Sequence, residues 1–429
     1  MELKELIKIT KGVLINDYRN IKINSFKTDT RKLKKGDVFI ALKGNNYDGN
    51  DFINDKMCAS AVITNKNIKL KNIPVIKVDD TYLSLFYIGN YIRCNHMKNV
   101  IAITGSNGKT TLKELIYSIL IKKYNVLKNE GNKNNLVGVF ETINNYKDED
   151  ISIFELGMNH KYEIDKLSKM IVPNTAVITN IGSSHIGNLG SRKNIFKAKM
   201  EIVNGLVGML IVNGDNKYLK KVKAYKCGRC VNNDLIAYNI HVYQTYLTFN
   251  IYNNKEYEVI FQKPIVDYIP SIVEAIKIGL LYSVSMKDIL IAIKNYKSYD
   301  KRLNEIILNN YTIYDDSYNA SFESVKCGLS FLKNIEAKKI IILGDMLELG
   351  KYSKKYHKKI NFLLNKIDNK EVLTVGNYTK YINSIHFKDN NSLISYLKNI
   401  QFNKVVIYVK GSYGMHLNEI VNFLKNNDC

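Results

Sequence analysis

The sequence has 429 residues, 45% of them hydrophobic and 24% charged, a composition that belongs to folded chains and a length that calls for about three domains. Those proportions exclude a disordered, collagen-like or disulfide-stapled chain, and four prolines leave nothing for long proline-rich linkers. The formal net charge of +23 rests on 63 Lys and Arg against 40 Asp and Glu, but only six of the basic residues are Arg and the Lys are dispersed. We read that charge as solvated surface with a benefit for anionic substrates, and expect no nucleic-acid partner.

The chain opens on MELKELIKITKG, where charges interrupt any apolar core of a secretory leader. No run reaches the roughly 18 apolar residues of a membrane helix. A cytoplasmic protein without membrane insertion is therefore expected. Over residues 1–98, short apolar runs at Val38–Leu42, Ala61–Thr64 and Val75–Val78 predict small buried strands.

From residue 99 to 300 strands and helices alternate, the mark of a parallel sheet. Asn99–Thr104 is an apolar run, and Leu112, Leu115, Ile116, Ile119 and Leu120 then fall on one helical face. Between them lies TGSNGKTT, Thr104 to Thr111. Its glycines let backbone N–H groups curl around phosphate oxygens at a helix N-terminus, with Lys109 within reach of the β- and γ-phosphates. The Thr110 hydroxyl is placed for Mg²⁺. The spacing is G-x-x-G-K-T, shorter than the common loop, yet its position between strand and helix points to ATP.

Further strands are expected at Ile151–Phe154, Ala176–Thr179 and Met209–Val212. Glu155 and His185 follow two of them, at the strand ends where open α/β sheets bind ligands. Each alone reads as a loop residue; beside a phosphate loop they become candidate metal ligands. Lys199, in KAKME, has the pattern of one surface lysine among many. Cys227 and Cys230 form one CxxC with His241 as the only nearby companion, which reads as two ordinary thiols. Residues 236–261 alternate as antiparallel strands with a turn at Asn253–Lys255, and Ser271 with Glu274 forms a capping box ahead of a helix through Leu281.

Residues 301–429 repeat strand and helix, with strands at Thr312–Tyr314, Ile340–Leu343, Val372–Val375 and Val405–Val409. Ile360, Leu363, Leu364 and Ile367 mark a helical face between them. This is a small doubly wound, Rossmann-like unit. DDSYNAS, Asp315 to Ser321, reads equally as a ligand site at a strand end or as a helix cap with Ser321 at its start.

These segments together resemble the Mur ligase family. TDTRKLKKGDVFIALKGNNYDGNDF (28–52), TGSNGKTT, GNKNNLVGV (131–139), FELGMNH (154–160), the His185 segment, AKMEI (198–202), DDSYNAS, LGDMLELG (343–350) and VKGSYGM (409–415) match in order over nearly the whole chain. The last unit's DDSYNA and LGDMLELG point to the branch that joins D-alanyl-D-alanine to a UDP-N-acetylmuramoyl-tripeptide through an acyl phosphate, in peptidoglycan precursor synthesis. The resemblance implies three α/β domains: a UDP-precursor domain (1–98), a central ATP-binding domain (99–300) and a C-terminal domain (301–429) that closes on ATP and takes the dipeptide.

The resemblance also implies roles. Gly105, Ser106, Asn107, Gly108, Lys109, Thr110 and Thr111 would hold ATP, joined by Arg302, Asp316 and Asn319 from the last domain. Thr110, Glu155, His185 and Lys199 would ligate two Mg²⁺, with Lys199 carrying a CO₂-derived carbamate. Lys109, Glu155, His185 and Lys199 would form the catalytic set, and Thr30 and Arg31 would meet the uridine diphosphate of a monomeric enzyme. Some positions depart from the family pattern: Thr30 replaces a Ser, Gly187 an acidic residue, Phe140 and Phe322 prolines, and Asp267 and Ser271 a His and an Asn. The rival readings are a sister ligase adding one amino acid, a folate polyglutamate ligase (opposed by residues 28–52), a nucleic-acid-binding ATPase and a non-catalytic paralogue.

Overall fold

The structure, a computed structural model, describes residues 1–16, 21–297 and 301–427. The expected domain boundary after Asp300 lies outside the described residues. Three α/β units follow one another, each built on its own main sheet, and the central one carries a second, smaller sheet.

The first sheet has five strands in the order Val13–Leu14, Val75–Lys77, Ala61–Thr64, Asp37–Ile40 and Ser25–Lys27. All pairs are parallel except the edge strand Val13–Leu14, which runs antiparallel to Val75–Lys77. Alternation decides the two faces: Val38, Ile40, Ala61 and Ile63 pack with Leu3 and Leu6 of helix Leu3–Thr10, while Phe39 and Val62 pack on the other side. Phe140, one of the departures, fills this core from helix Leu136–Asn144 and meets Phe26 edge-on at 6.1 Å. Its burial ties the first unit to the second. Arg93 does the same from helix Thr81–Asn95, donating to the carbonyls of Met97, Ile171 and Val172 and to Asn174 Oδ1.

The central sheet is parallel throughout, with Asn99–Thr104 between Thr175–Ile178 and Ile151–Glu155. Val100 and Ala102 face helices Glu163–Ile171 and Arg192–Met200, while Ile101 and Ile103 face helices Lys109–Leu120 and Ile269–Leu281. Both faces are covered, which is why the strands read as unbroken apolar runs. The predicted antiparallel segment forms a three-stranded sheet, Tyr238–Val242, Leu247–Asn253 and Lys255–Phe261. Its second turn places Asn254 at φ +61°, where Asn is tolerated.

The expected capping box at Ser271 and Glu274 does not form. Pro270 sits in the first turn and starts the helix earlier, at Ile269, so both residues lie inside it. Glu274 is fully buried and neither carboxyl oxygen has a hydrogen-bond partner.

The third sheet has six strands, ordered Asn304–Ile307, Tyr311–Asp315, Val405–Lys410, Lys338–Gly344, Lys370–Val375 and Ile385–Phe387. Only the first pair is antiparallel. The sequence pattern missed both edge strands, which are short and half-exposed. Ile340 and Ile342 pack on one face and Ile341 and Leu343 on the other, the two-sided burial of a doubly wound unit. The expected helix ends at Leu364, and Ile367 is buried just beyond it.

Candidate active site

A cleft of about 1040 Å³ opens between the central and third units. Its floor is the turn after strand Asn99–Thr104. Gly105 has φ +152°, and a Cβ there would overlap Thr179 Oγ1; Gly108, at φ +78°, precedes helix Lys109–Leu120. Only glycine holds this shape without strain. The loop is tied to the next strand's end: Asn107 N–H donates to Asn180 Oδ1 at 3.0 Å, Thr179 Oγ1 donates to Asn107 O at 2.6 Å, and Gly182 N–H donates to Ser106 Oγ at 2.8 Å. Ser106, Asn107, Gly108, Lys109, Thr110 and Thr111 line the cleft, where the helix start favours anions. Lys109 Nζ donates back to Gly105 O at 3.0 Å, and desolvation pulls its pKa below the ordinary lysine value.

Glu155 ends strand Ile151–Glu155 beside this loop. Its Oε2 accepts from Thr110 Oγ1 at 2.7 Å and its Oε1 from Asn134 Nδ2 at 3.0 Å. Burial raises the carboxyl pKa, but Lys109, Arg302 and Lys113 outweigh it and hold the group below the usual range. Arg302 Nη2 also donates to Thr110 Oγ1 at 3.1 Å, and its guanidinium stacks over Tyr318 at 4.3 Å. His185 sits at φ +61°, its Nδ1 3.2 Å from Glu348 Oε2 of the third unit. Burial, aided by the charges of Lys199 and Lys109, pushes His185 down to about 3, so the ring is neutral at physiological pH.

Lys199 contradicts its surface pattern. It is 1% exposed within helix Arg192–Met200, and burial first, then Lys109, takes its amine well below the ordinary value. It does not line the cleft. Among the described residues no three His, Cys, Asp or Glu side chains converge into a finished cation cage. Glu155 and the Thr110 hydroxyl nonetheless offer two hard oxygens at one point, the partial donor set Mg²⁺ takes when phosphates and water complete its shell.

The third unit forms the other wall. Asp316 lines the cleft, its carboxylate accepting from Lys410 Nζ at 2.6 Å and Tyr408 OH at 3.0 Å. Asn319 lines it too, with Oδ1 turned onto Ala320 N–H. Ser321 is the helix cap its sequence allowed, and it also reaches the central unit. It caps helix Phe322–Lys333 in a capping box with Ser324, and its Oγ donates to Asn107 Oδ1 of the phosphate loop at 2.6 Å. Thr30 and Arg31 are not brought to this cleft: they lie in the first unit's 3₁₀ turn Thr30–Lys32, with Arg31 exposed and paired to Asp29 at 2.8 Å.

Residues 103–293 match the model of the Mur ligase middle domain, and residues 301–413 that of the Mur ligase glutamate ligase domain. The chain is 34% identical to the UDP-N-acetylmuramoyl-tripeptide–D-alanyl-D-alanine ligase of Bacillus subtilis, with 98% of each chain covered. It is 30% identical to the Escherichia coli ligase of the same name, covering 99% of this chain and 98% of the other.

The chain belongs to the Mur ligase family, among the UDP-N-acetylmuramoyl-tripeptide–D-alanyl-D-alanine ligases. A crystal structure of MurF from Acinetobacter baumannii superposes with a TM-score of 0.91 at 27% identity, over 99% of this chain and 98% of that one. The ADP complex of MurF from Thermotoga maritima, 24% identical, shares the fold with a TM-score of 0.85 over 94% and 97%.

Within this Mur ligase, sequence reasoning missed the residues that join its units. Glu323 accepts from Ser183 N–H and Oγ and from Arg192 Nη2, and Glu348 faces His185. Both lie in quoted segments or beside them, but nothing local marks a carboxylate as reaching another unit. Asn134 carried a usable signal, since it lies in the GNKNNLVGV segment, and its side chain holds Glu155.

Proposed function

We propose that this enzyme joins D-alanyl-D-alanine to UDP-N-acetylmuramoyl-tripeptide with ATP, as a cytoplasmic monomer supplying peptidoglycan precursors. Residues 1–98 take the uridine precursor through Thr30 and Arg31, residues 99–300 hold ATP, and residues 301–429 close over it and admit the dipeptide. One observation carries the reading: the phosphate loop, Glu155, Arg302 and the third unit's Asp316 and Asn319 all face one cleft.

The tripeptide carboxylate attacks the γ-phosphorus, the bond to the β-phosphate oxygen breaks, and ADP departs. The dipeptide amine, freed of its ammonium proton, then attacks the acyl phosphate carbon. The C–O bond to phosphate breaks and inorganic phosphate leaves with the electron pair. No protein nucleophile is needed, so the chain's work is alignment and charge neutralisation. The ammonium of Lys109, released from Gly105 O, spans the β- and γ-phosphates, and Arg302 approaches from the third unit. Two Mg²⁺, held by Thr110, Glu155, His185 and Lys199, would neutralise phosphate charge. Lys199 fits that set as a carbamate, since its buried amine is held towards the neutral form that reacts with CO₂, and the product is an anionic oxygen ligand.

Mass spectrometry of the uridine product tests the reading. Incubation with all substrates is expected to add the mass of the dipeptide less one water. Recovery of unaltered tripeptide from folded enzyme would refute it.

A further inference from the structure

Two glycine-bearing turns, one from the central unit and one from the third, meet in direct contact and form a seat. Gly187, in the short helix Ile186–Leu189, lies against the backbone of the 3₁₀ segment Leu347–Tyr352 of the third unit. A Cβ on Gly187 would stand 2.8 Å from Gly350 N and 3.0 Å from Glu348 O, closer than real side chains pack. Gly350 itself has φ +51° with ψ −130°, a backbone that side chains rarely adopt, and a Cβ there would stand 2.9 Å from Gly187 Cα. Tyr352 OH closes the same contact, donating to Gly190 O at 2.8 Å. Only with both residues stripped to the backbone can the two turns meet this closely.

That meeting delivers one functional group. Glu348 Oε2 comes to 3.2 Å from His185 Nδ1, and Nδ1 has no hydrogen-bond partner at this separation and angle. The His185 side chain is 15% exposed and that of Glu348 is 33% exposed, so the pair lies at the edge of the cleft rather than on open surface. A histidine that binds a cation through one ring nitrogen is normally oriented by a carboxylate on the other. Here the carboxylate belongs to a different unit of the fold.

We propose that Glu348 is a positioning residue for His185, brought to it by docking of the third unit, and that the Gly187–Gly350 contact is the seat that permits the docking. Docking and metal binding are thereby coupled. The cation site next to ATP is complete only when the unit carrying Glu348 has closed. The inference rests on the reading of His185 as a metal ligand.

The test uses the full-length enzyme with β,γ-methylene-ATP and Mn²⁺, free Mn²⁺ being read by electron paramagnetic resonance, alongside steady-state kinetics. Glu348→Gln keeps the shape and loses the charge. We expect it to weaken Mn²⁺ binding about tenfold or more and to lower kcat in parallel, with KM for the uridine precursor within about twofold. Gly187→Ala, which blocks the seat with a single methyl, is expected to weaken Mn²⁺ binding as well. Normal Mn²⁺ affinity in Glu348→Gln would overturn the positioning role, and normal affinity in a folded Gly187→Ala would overturn the seat. His185→Ala separates the two levels. Unchanged Mn²⁺ affinity in that variant would remove the metal-ligand reading itself, whereas a loss there without a loss in Glu348→Gln would remove only the present inference.

Discussion

Lys109 is the residue whose loss should be most damaging for the least structural change. Its ammonium reaches back to Gly105 O, while the loop's shape depends on glycines and on bonds to Thr179 and Asn180. Lys109→Ala is therefore expected to lower kcat at least about a hundredfold, equivalent to about 2.7 kcal/mol of transition-state stabilisation. Binding of the uridine precursor, measured by calorimetry, should stay within error. Lys199 gives a sharper contrast. Its helix carries Lys193 and Lys197 in the same polar pattern, yet Lys199 alone is buried, and single-chain periodicity has no means of separating the three. Lys199→Ala is expected to lose most activity and to regain part of it with added formate, while Lys199→Arg should not recover because a guanidinium keeps its positive charge. Full activity in either variant would contradict the carbamate. Glu155 and His185 were legible as cleft residues because they follow strands whose ends form its floor; burial of a lysine by residues distant in sequence leaves no such mark.

At the scale of single elements, Pro270 outweighed a capping pattern and shifted one helix start, carrying Glu274 into the core. Burial raises the Glu274 carboxyl well above its ordinary pKa, so the folded state keeps the proton that the unfolded chain releases near pH 4.5. The unfolded state then binds fewer protons, and the stability this group contributes declines as pH rises above that point. Glu274→Gln removes the linkage, so its unfolding temperature should exceed that of the parent by a margin that widens from pH 5 to pH 8. A constant margin across that range would count against a neutral buried carboxyl. The turn after strand Lys370–Val375 depends on another buried acid. Asp345 accepts from the N–H groups of Asn377, Tyr378 and Thr379 at 2.8, 2.9 and 2.8 Å. Asp345→Ala would leave three N–H groups without their acceptor, that of Thr379 buried, and is expected to destabilise the third unit by about 1–3 kcal/mol, seen as an earlier urea transition. The LGDMLELG segment that carries it was recognisable as a motif, but its role in anchoring a turn 32 to 34 residues away was not.

Across the whole molecule, the central strands of the three mainly parallel sheets were readable because two-sided burial turns parallel strands into apolar runs. The joints between units were not. Glu323 with Arg192, Ser321 with Asn107 and Phe140 with Phe26 each pair residues more than a hundred positions apart, through side chains that look ordinary locally. Those joints bring the proposed ATP-binding residues of two units onto one cleft, the arrangement that a reaction aligning three substrates needs. Phosphate release measures that alignment directly. With ATP, Mg²⁺ and UDP-N-acetylmuramoyl-tripeptide present, sustained release is expected only when D-alanyl-D-alanine is added. Equal release with a single amino acid, or release without any amine, would contradict the account.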